Sequence, residues 1–402
     1  MSGAGDRRTD WTTIVLMALG FGLVGIDRFM ISTLYPVIAK DLSLGYADIG
    51  AITGALALAW GVAALFMGNL ADRIGRRLVL AGALTVFALL IGASGLATGL
   101  GALILVRVVM GFADGAYTPA SIAATLHAAP PNRHGLAIGV QQMMLPAFGL
   151  GLAPLAVNAM LQVMDWRWTF VAFALPGAVL AALVWLKLPR AAVSGAQRQN
   201  PLAEWRLVLA YRNVRLAMML MLCWLTCLIT TSAFLPSYLM DHLKLTFGQM
   251  SGVVSAIGVG SAVGTILLSW LSDRIGRKAV VLLSSAGAGL SLLALSQIGP
   301  VPTALFAALF AVHFFNNAGI TLTVGPLCAD AVPVGLMATA SGVVIATGEL
   351  LGGGLAPFAA GHFAARFGIE HLLWLPIGGL AVAFLLSLFL LETRKARALD
   401  AT

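Results

Sequence analysis

Two stretches of ten residues in this chain are close copies of each other, GNLADRIGRR at 68–77 and SWLSDRIGRK at 269–278. Their aspartates, Asp72 and Asp273, lie 201 positions apart, which is half the length of the 402-residue chain. A motif repeated at such a separation indicates that the two halves of a chain share one architecture. We therefore expect two structurally similar halves.

The composition around these motifs is that of a membrane protein. Of the 402 residues, 60% are hydrophobic and 10% are charged, whereas a soluble domain carries about a quarter charged residues. Apolar runs of about 20 residues, the length that crosses the hydrocarbon core of a bilayer, recur along the chain. They predict twelve transmembrane helices, at about 12–36, 47–71, 78–98, 101–127, 134–160, 168–187, 213–239, 248–271, 279–298, 301–327, 336–362 and 370–391.

One connection between these spans is long, polar and basic, and it divides the chain into two sets of six helices. The sequence predicts a six-helix bundle over 1–187, a cytoplasmic linker over 188–212 and a second bundle over 213–402. The tetrapeptide GLAP occurs in spans 5 and 11 and supports the same division. The expected fold is an all-α integral membrane protein with twelve transmembrane helices in two pseudo-symmetric bundles.

Lysine and arginine are distributed unequally between the two sides of the predicted membrane. Eighteen of the 24 lie in the tails and in the loops after even-numbered spans, four lie in the opposite loops, and two lie within spans. Because these residues concentrate on the cytoplasmic side, we expect a multi-pass protein of the cell (inner) membrane with both termini in the cytoplasm. The net charge of +8 is scattered over membrane-edge loops, which argues against nucleic acid as a partner.

The two motif copies resemble the cytoplasmic loop motif of the major facilitator superfamily, G-x-L-x-D-R-x-G-R-R. The first copy matches it fully, whereas the second has Ser269 in place of the first glycine and Lys278 in place of the last arginine. Glycine permits a tight turn between antiparallel helices. The resemblance implies that this loop latches the two halves together when the carrier opens outward. The residues of this expected gate are Gly68, Asp72, Arg73, Gly75, Arg76, Asp273, Arg274 and Gly276.

Five ionisable residues lie deep within the predicted spans: Asp27, Arg28, Arg107, Asp114 and Glu349. A charge at the bilayer centre costs about 2.5–3.5 kcal/mol on insertion scales, so these residues are expected to face a cavity or one another. Arg107 and Asp114 lie two turns apart on one face of span 4, too far apart to satisfy each other. Purely structural ion pairs between spans 1 and 4 are an alternative, but they would leave Glu349 without a partner.

This set of charges predicts coupling between protons and an anion. A guanidinium group binds a carboxylate through two parallel hydrogen bonds, so Arg28 and Arg107 are the expected substrate-binding residues. While Asp27, Asp114 and Glu349 are ionised, they neutralise these cations and repel an anion. Protonation of a carboxyl group, which burial favours, frees positive charge for the substrate. Proton and anion would then move together, which is symport with protons as the coupling ion and without a cofactor or metal.

At these positions the sequence resembles the anion:cation symporter family, which includes carriers of sugar acids, sialic acid and glutamate. The matching residues are the pair Asp27-Arg28 in span 1, and Arg107 and Asp114 in span 4. In that family the arginines bind the substrate carboxylate and the acids carry protons. The family's acid in span 4 is usually glutamate, one methylene longer than Asp114. Glu349 is not a hallmark of the family, so its expected role rests on its charge at depth alone: a second proton site or a group that binds a polar part of the substrate.

Other carriers share parts of this pattern. Aromatic-acid:proton symporters also have an acid in span 1, and GID at 25–27 fits part of their motif. Drug:proton antiporters have a glycine-rich span 5, as this chain does, but two buried arginines suit a cationic drug poorly. The sequence contains no HExxH motif and no serine, histidine and aspartate in catalytic order at a membrane face, so an enzyme is not expected.

Uncharged polar side chains within the spans complete the expected substrate site. They could bind polar groups of the substrate or instead join helices through hydrogen bonds; they are Tyr35, Tyr117, Gln141, Asn316 and Asn317. The favoured function is rocker-switch uptake of a small organic anion, such as a sugar acid, with at least one proton. The expected carrier is a monomer in the lipid bilayer.

Overall fold

The computed structural model describes residues 9–130, 133–188, 201–328, 330–333 and 336–392. Within these ranges the side chains of residues 64–74, 134–136, 201–204 and 338 are not described. Twelve helices of the described chain are long and apolar enough to cross a membrane. The protein is therefore a multi-pass membrane protein, and the prediction of twelve spans is confirmed.

Seven of the twelve spans are single helices, and we number all spans in chain order. These seven are span 1 (Trp11–Leu42), span 2 (Tyr46–Ile74), span 3 (Arg76–Ser94), span 4 (Leu100–Ala128), span 6 (Trp166–Lys187), span 8 (Phe247–Ile275) and span 9 (Arg277–Leu295). A short helix, Pro201–Leu209, lies in the predicted linker.

The other five spans each consist of more than one helical segment. Span 5 has a π-helical segment (Ala147–Leu152) between His134–Pro146 and Ala153–Leu161, and span 11 has one (Gly348–Leu355) between Met337–Thr347 and Ala356–Phe367. Spans 7 and 10 end in π-helical segments, as Arg212–Ser237 with Tyr238–His242 and as Pro302–Leu322 with Thr323–Leu327. Span 12 has a 3₁₀ turn (Ile369–His371) before Trp374–Leu388.

The repeat in the sequence is reproduced in the backbone. Gly75 and Gly276, one in each motif copy, have φ of 95° and 102°, a conformation that only glycine adopts readily. At the opposite end of the bundle, Ser43 and Lys244 have φ of 53° and 57° and are also 201 positions apart. We call the end with Gly75 and Gly276 the motif end, and the end with Ser43 and Lys244 the far end.

The first half (spans 1–6) packs against the second half (spans 7–12) mainly through span 2 on span 11 and span 5 on span 8. A methyl group added at Gly258 of span 8 would collide with the backbone of Gly151 in span 5, so the two helices touch there. At the far end, the Tyr46 hydroxyl of span 2 donates to Asp241 Oδ2 of span 7 at 3.0 Å. The halves are thus in direct contact at the far end.

Spans 1 and 7, which are equivalent in the repeat, lie at the centre of the bundle. The most apolar segments of these spans are 83% and 78% buried, whereas those of the other ten spans are 33% to 61% buried. Asp27 and Arg28 are therefore held away from lipid by the position of span 1, as the sequence predicts. Because span 1 lies at the centre, its charged residues lie close to the second half as well as to the rest of the first half.

Candidate substrate and proton site

Arg107 of span 4 binds the Asp27 residue of span 1. The Arg107 Nη1 donates to the backbone carbonyl of Asp27 at 2.8 Å and to its carboxylate Oδ1 at 3.3 Å. Both residues are fully buried. This ion pair lies within the first half and holds spans 1 and 4 together.

Arg28 of span 1 binds Glu349 of span 11. The Nη2···Oε2 distance is 2.8 Å and the Nη1···Oε1 distance is 3.4 Å, so two oxygens face two nitrogens. The guanidinium carbon lies 4.3 Å from the centre of the Trp60 ring, within cation–π range. A set of ion pairs confined to spans 1 and 4 would leave Glu349 without a partner. In the structure Glu349 has a partner, Arg28, which lies in the other half.

Asp114 completes the set of five charges without an ion-pair partner. Its side chain is fully buried, and neither carboxylate oxygen has a hydrogen-bond partner among the described residues. The Nε and Nη2 groups of Arg107 also lack acceptors there. With every group ionised, the five residues carry a net charge of −1, and one proton makes the set neutral. An isolated buried carboxylate is costly, and Asp114 is the acid of this set without a hydrogen-bond partner among the described residues.

A narrow cavity lies between the two arginines at the boundary of the halves. It has room for about one water molecule. Its walls come from spans 1, 2 and 4 of the first half and from span 7 of the second half. The lining residues are Arg28, Phe29, Ile31, Ser32, Thr53, Leu56, Arg107, Ile229, Ser232 and Ala233.

The uncharged residues that the sequence places in the substrate site line other parts of the interior, and each makes a hydrogen bond that fixes a helix. Their partners are the Gly45 carbonyl for Tyr35, the Met17 carbonyl for Tyr117, Ser121 Oγ for Gln141, the Trp224 carbonyl for Asn316 and Thr265 Oγ1 for Asn317. The structure therefore brings the two arginines and the three acids together, and it places these five residues in helix packing.

Sequence patterns missed several residues of the site. Trp60, which stacks on Arg28, and the cavity hydroxyls of Ser32, Thr53 and Ser232 carry no charge that would distinguish them within an apolar run. The only available signal was an aromatic residue in the middle of span 2. Which side of a helix faces the cavity depends on packing, so these residues emerge only from the structure.

The gate predicted from the motif copies is only partly visible. The side chains of Gly68, Asp72 and Arg73 lie outside the described residues. Gly75 and Arg76 follow at the start of span 3. In the second copy, Asp273 binds Arg277 at 2.6 Å and Arg274 stacks on Trp270 at 3.9 Å, next to the turn at Gly276. The latch between the halves stays a prediction.

In the second copy, the start of span 9 is capped by Glu392, which follows span 12. The Glu392 carboxylate accepts hydrogen bonds from the backbone N–H groups of Arg277 and Lys278, at 3.2 and 3.1 Å. The Lys278 ammonium group donates to the Leu388 carbonyl at 2.7 Å. These bonds connect the start of span 9 to the end of span 12, within the second half.

The protein has twelve spans in two similar bundles, and buried charges lie at the interface between these bundles. This arrangement is that of a membrane transporter rather than an enzyme. A sequence model of the Major Facilitator Superfamily matches residues 17–345 and 229–401, and the chain belongs to that superfamily. A bacterial homolog of the human lysosomal transporter Spinster, in an inward-facing and unoccupied conformation, has the same fold. Its TM-score is 0.81 at 19% identity, with 96% of this chain and 98% of that chain covered.

Transporters of organic acids are among the relatives. The chain is 29% identical to a 3-(3-hydroxyphenyl)propionate transporter of Escherichia coli, covering 96% of this chain and 94% of the relative. It is 26% identical to a sialic acid transporter of E. coli, covering 87% and 86%. An uncharacterized MFS-type transporter of Mycobacterium tuberculosis is 32% identical over 47% of this chain, which spans 33% of that relative. The chain is thus an MFS transporter related to carriers of acidic sugars and aromatic acids.

Proposed function

We propose that the protein is a proton-coupled symporter that carries a small organic anion into the cytoplasm. The observation that carries this proposal is the convergence of two buried arginines and three buried acids, of which one acid has no ion-pair partner within the described part of the chain. Arg28 and Arg107 both line the cavity between the halves. An anion that enters this cavity therefore meets two guanidinium groups that its carboxylate can bind.

The acids make anion binding depend on protons. In the substrate-free carrier, Asp27 and Glu349 neutralise the two arginines, and Asp114 adds a further negative charge. Each incoming carboxylate brings another negative charge into a buried site, which is costly unless a proton accompanies it. Asp27, Asp114 and Glu349 are the groups that accept these protons, and Asp114 is the first of them because neither of its carboxylate oxygens has a hydrogen-bond partner among the described residues.

Transport requires the cavity to open alternately to the two sides of the membrane. The cavity holds about one water molecule, so the two halves have to separate before an organic acid can enter. A rocking motion of the two similar bundles about this central site supplies that opening. The distribution of lysine and arginine supports cytoplasmic termini in an inner membrane, and an inward proton gradient then drives uptake by a monomer.

Two classes of substrate acid are supported by the relatives. One relative carries sialic acid, an acidic sugar, and another carries 3-(3-hydroxyphenyl)propionate, an aromatic acid. An aromatic acid is also favoured by the cavity wall, since Phe29, Ile31, Leu56 and Ile229 are apolar. Export of a cationic drug is disfavoured because a cation would approach Arg28 and Arg107.

A transport assay in proteoliposomes tests this function. The panel contains 3-(3-hydroxyphenyl)propionate, gallate, sialic acid, galactonate and glucuronate, each offered with and without an inward proton gradient. We expect at least one acid to accumulate only with the gradient and to be released by a protonophore. Failure of every acid to respond to the gradient, or selective transport of an organic cation, would contradict the proposal.

Replacement of the unpaired acid tests proton coupling. Asp114→Asn keeps the size of the side chain and removes its charge, so anion exchange across the membrane should continue while proton-driven accumulation is lost. Asp165→Asn, at a half-exposed side chain in the turn before span 6, is the matched control and should accumulate substrate normally. Unchanged accumulation by Asp114→Asn would remove this residue from the coupling mechanism.

A further inference from the structure

The ion pair between Arg28 and Glu349 joins the two halves of the carrier at the substrate cavity. Glu349 lies in the π-helical segment Gly348–Leu355 of span 11, and Arg28 lies in the middle of span 1. Both side chains are buried, with 10% and 7% of their surface exposed. The pair is therefore part of the contact between the halves, and its Arg28 side chain is also part of the cavity wall.

The position of Glu349 is the position in which a substrate carboxylate would bind. Its two oxygens face the two terminal nitrogens of Arg28, at 2.8 and 3.4 Å. The flat face of the guanidinium group is covered by Trp60. Because one edge of a guanidinium group holds one carboxylate in this two-bond arrangement, Glu349 and a substrate carboxylate compete for the same edge.

We propose that Glu349 is the resident counter-anion of Arg28, which the substrate displaces and which takes up a proton when it is displaced. This inference rests on the proposed function and assigns the order of events at the same site. The incoming carboxylate forms the bonds to Arg28, the Arg28–Glu349 bonds break, and a proton from the entry side neutralises Glu349. On the release side the carboxylate leaves, Glu349 loses its proton to water, and the pair re-forms.

The pair explains how an empty carrier returns. A buried guanidinium group without a counter-charge is costly, so a carrier with an unpaired Arg28 is strongly disfavoured in the closed state through which it must pass. Glu349 supplies the missing charge after the substrate has left. Without that charge, the carrier passes through the closed state only with an anion bound, and it exchanges anions instead of accumulating them.

Other ionisable groups near Glu349 do not replace this role. Asp27 is bound to Arg107, and Asp114 lacks any partner among the described residues. Span 2 contributes no ionisable side chain between residues 49 and 63. Span 7, which packs on Gly348–Leu355, contributes the buried thiols of Cys223 and Cys227. Glu349 is thus the acid that the structure places on Arg28.

The variant Glu349→Gln tests this role because it keeps the shape of the side chain and removes its charge. The probe is whichever acid of the five-member panel above shows the largest proton-driven uptake by the wild-type carrier. We expect counterflow exchange within about twofold of wild type, loss of net uptake under an inward proton gradient, and binding of the acid at pH 8 that is about tenfold tighter. The tighter binding follows because the internal competitor has been removed.

Two further variants keep the test decisive. Asp165→Asn retains the Arg28–Glu349 pair and every buried charge of the site, so its binding at pH 8 should not become tighter. Glu349→Asp keeps the negative charge, so it should retain net uptake at a reduced rate even if Glu349→Gln does not fold. Folding of each variant is checked by size-exclusion chromatography.

Several results would overturn the inference while leaving the proposed function intact. For Glu349→Gln, these results are net proton-driven uptake at the wild-type rate, loss of both exchange and net uptake in the folded variant, or unchanged affinity at pH 8. For Glu349→Asp, the result is loss of net uptake in the folded variant. A wild-type carrier that accumulates none of the five acids would instead overturn the proposed function itself.

Discussion

The two halves of this carrier repeat each other in backbone but not in charge. Among the described residues, four of the five with positive φ recur at a separation of 201, at the motif end in Gly75 and Gly276 and at the far end in Ser43 and Lys244; the fifth is Gly368. The separation between the two GLAP sequences is 203. Shifts of 201 to 203 residues carry Asp27-Arg28 onto residues 228–231 and Arg107 onto residues 308–310, and neither segment contains a charge.

This difference assigns separate tasks to the two halves. The first half holds Asp27, Arg28, Arg107 and Asp114, so it contains both arginines of the site. The second half contributes Glu349. In the proposed mechanism the Arg107–Asp27 pair stays intact within one half, whereas the Arg28–Glu349 pair breaks when a substrate carboxylate binds and re-forms after its release. In that mechanism the repeat supplies the motion, and the asymmetry of charge couples the motion to an anion.

The largest effect is expected from breaking the pair inside the first half. Arg107→Ala leaves Asp27 as an unpaired and fully buried charge, and losing one partner of a buried ion pair costs about 3–5 kcal/mol. We expect loss of substrate binding together with a large fall in the detergent melting temperature. Arg28→Ala should also abolish binding, but it leaves Glu349 unpaired, whose side chain is 10% exposed whereas that of Asp27 is fully buried, and it should lower the melting temperature less. Normal binding by Arg107→Ala would break the assignment of binding to the first half.

Alanine at the two motif glycines compares the repeated turns directly. Both positions have φ near +100°, so each substitution should cost about 1–3 kcal/mol. At Gly276 the added methyl group would also lie 2.6 Å from the Glu392 carboxylate, whereas at Gly75 no atom of the described residues lies within 4 Å. Gly276→Ala should therefore have the lower melting temperature, because Glu392 must give up its cap on span 9. Equal melting temperatures would show that the cap contributes nothing.

A smaller effect is expected at Asn316 in the second half. Asn316→Ala removes its bond to the Trp224 carbonyl and should lower stability by about 1 kcal/mol. Because the structure places Asn316 in helix packing, the KM for the transported acid should stay within twofold of wild type. Gln141→Ala, which removes the bond to Ser121 in the first half, is the matched variant and should behave alike. A tenfold increase in KM for either variant would indicate that the substituted residue contacts the substrate, as the sequence predicted.

The smallest effect is expected from an exposed ion pair of the same chemistry. Arg167 binds Asp41 at 2.6 Å, but their side chains are 37% and 44% exposed, and such pairs are weak and screened by salt. Arg167→Ala should transport normally, with no measurable change in melting temperature at physiological salt. A loss of transport as severe as that of Arg107→Ala would mean that burial does not distinguish the two arginines.

The sequence by itself determined the number of spans, the duplication and the depth of the five charges. These properties follow from local composition, since an apolar run long enough to cross the bilayer has to be a helix that satisfies its own backbone. Span ends were less exact. Span 1 was expected to end near Pro36, but the helix continues through Pro36 to Leu42, because the apolar run measures the thickness of hydrocarbon and not the length of the helix.

Only the tertiary structure decided which charges meet. Arg28 and Glu349 are 321 positions apart, and the sequence places both near mid-depth without showing that they face each other. The direction of a side chain depends on the rotation of its helix, which is set by packing against several other helices at once. The π-helical segment that presents Glu349 and the stacking of Trp60 on Arg28 arise from the same packing. The sequence therefore predicted the buried charges, whereas only the structure showed how they pair between the two halves.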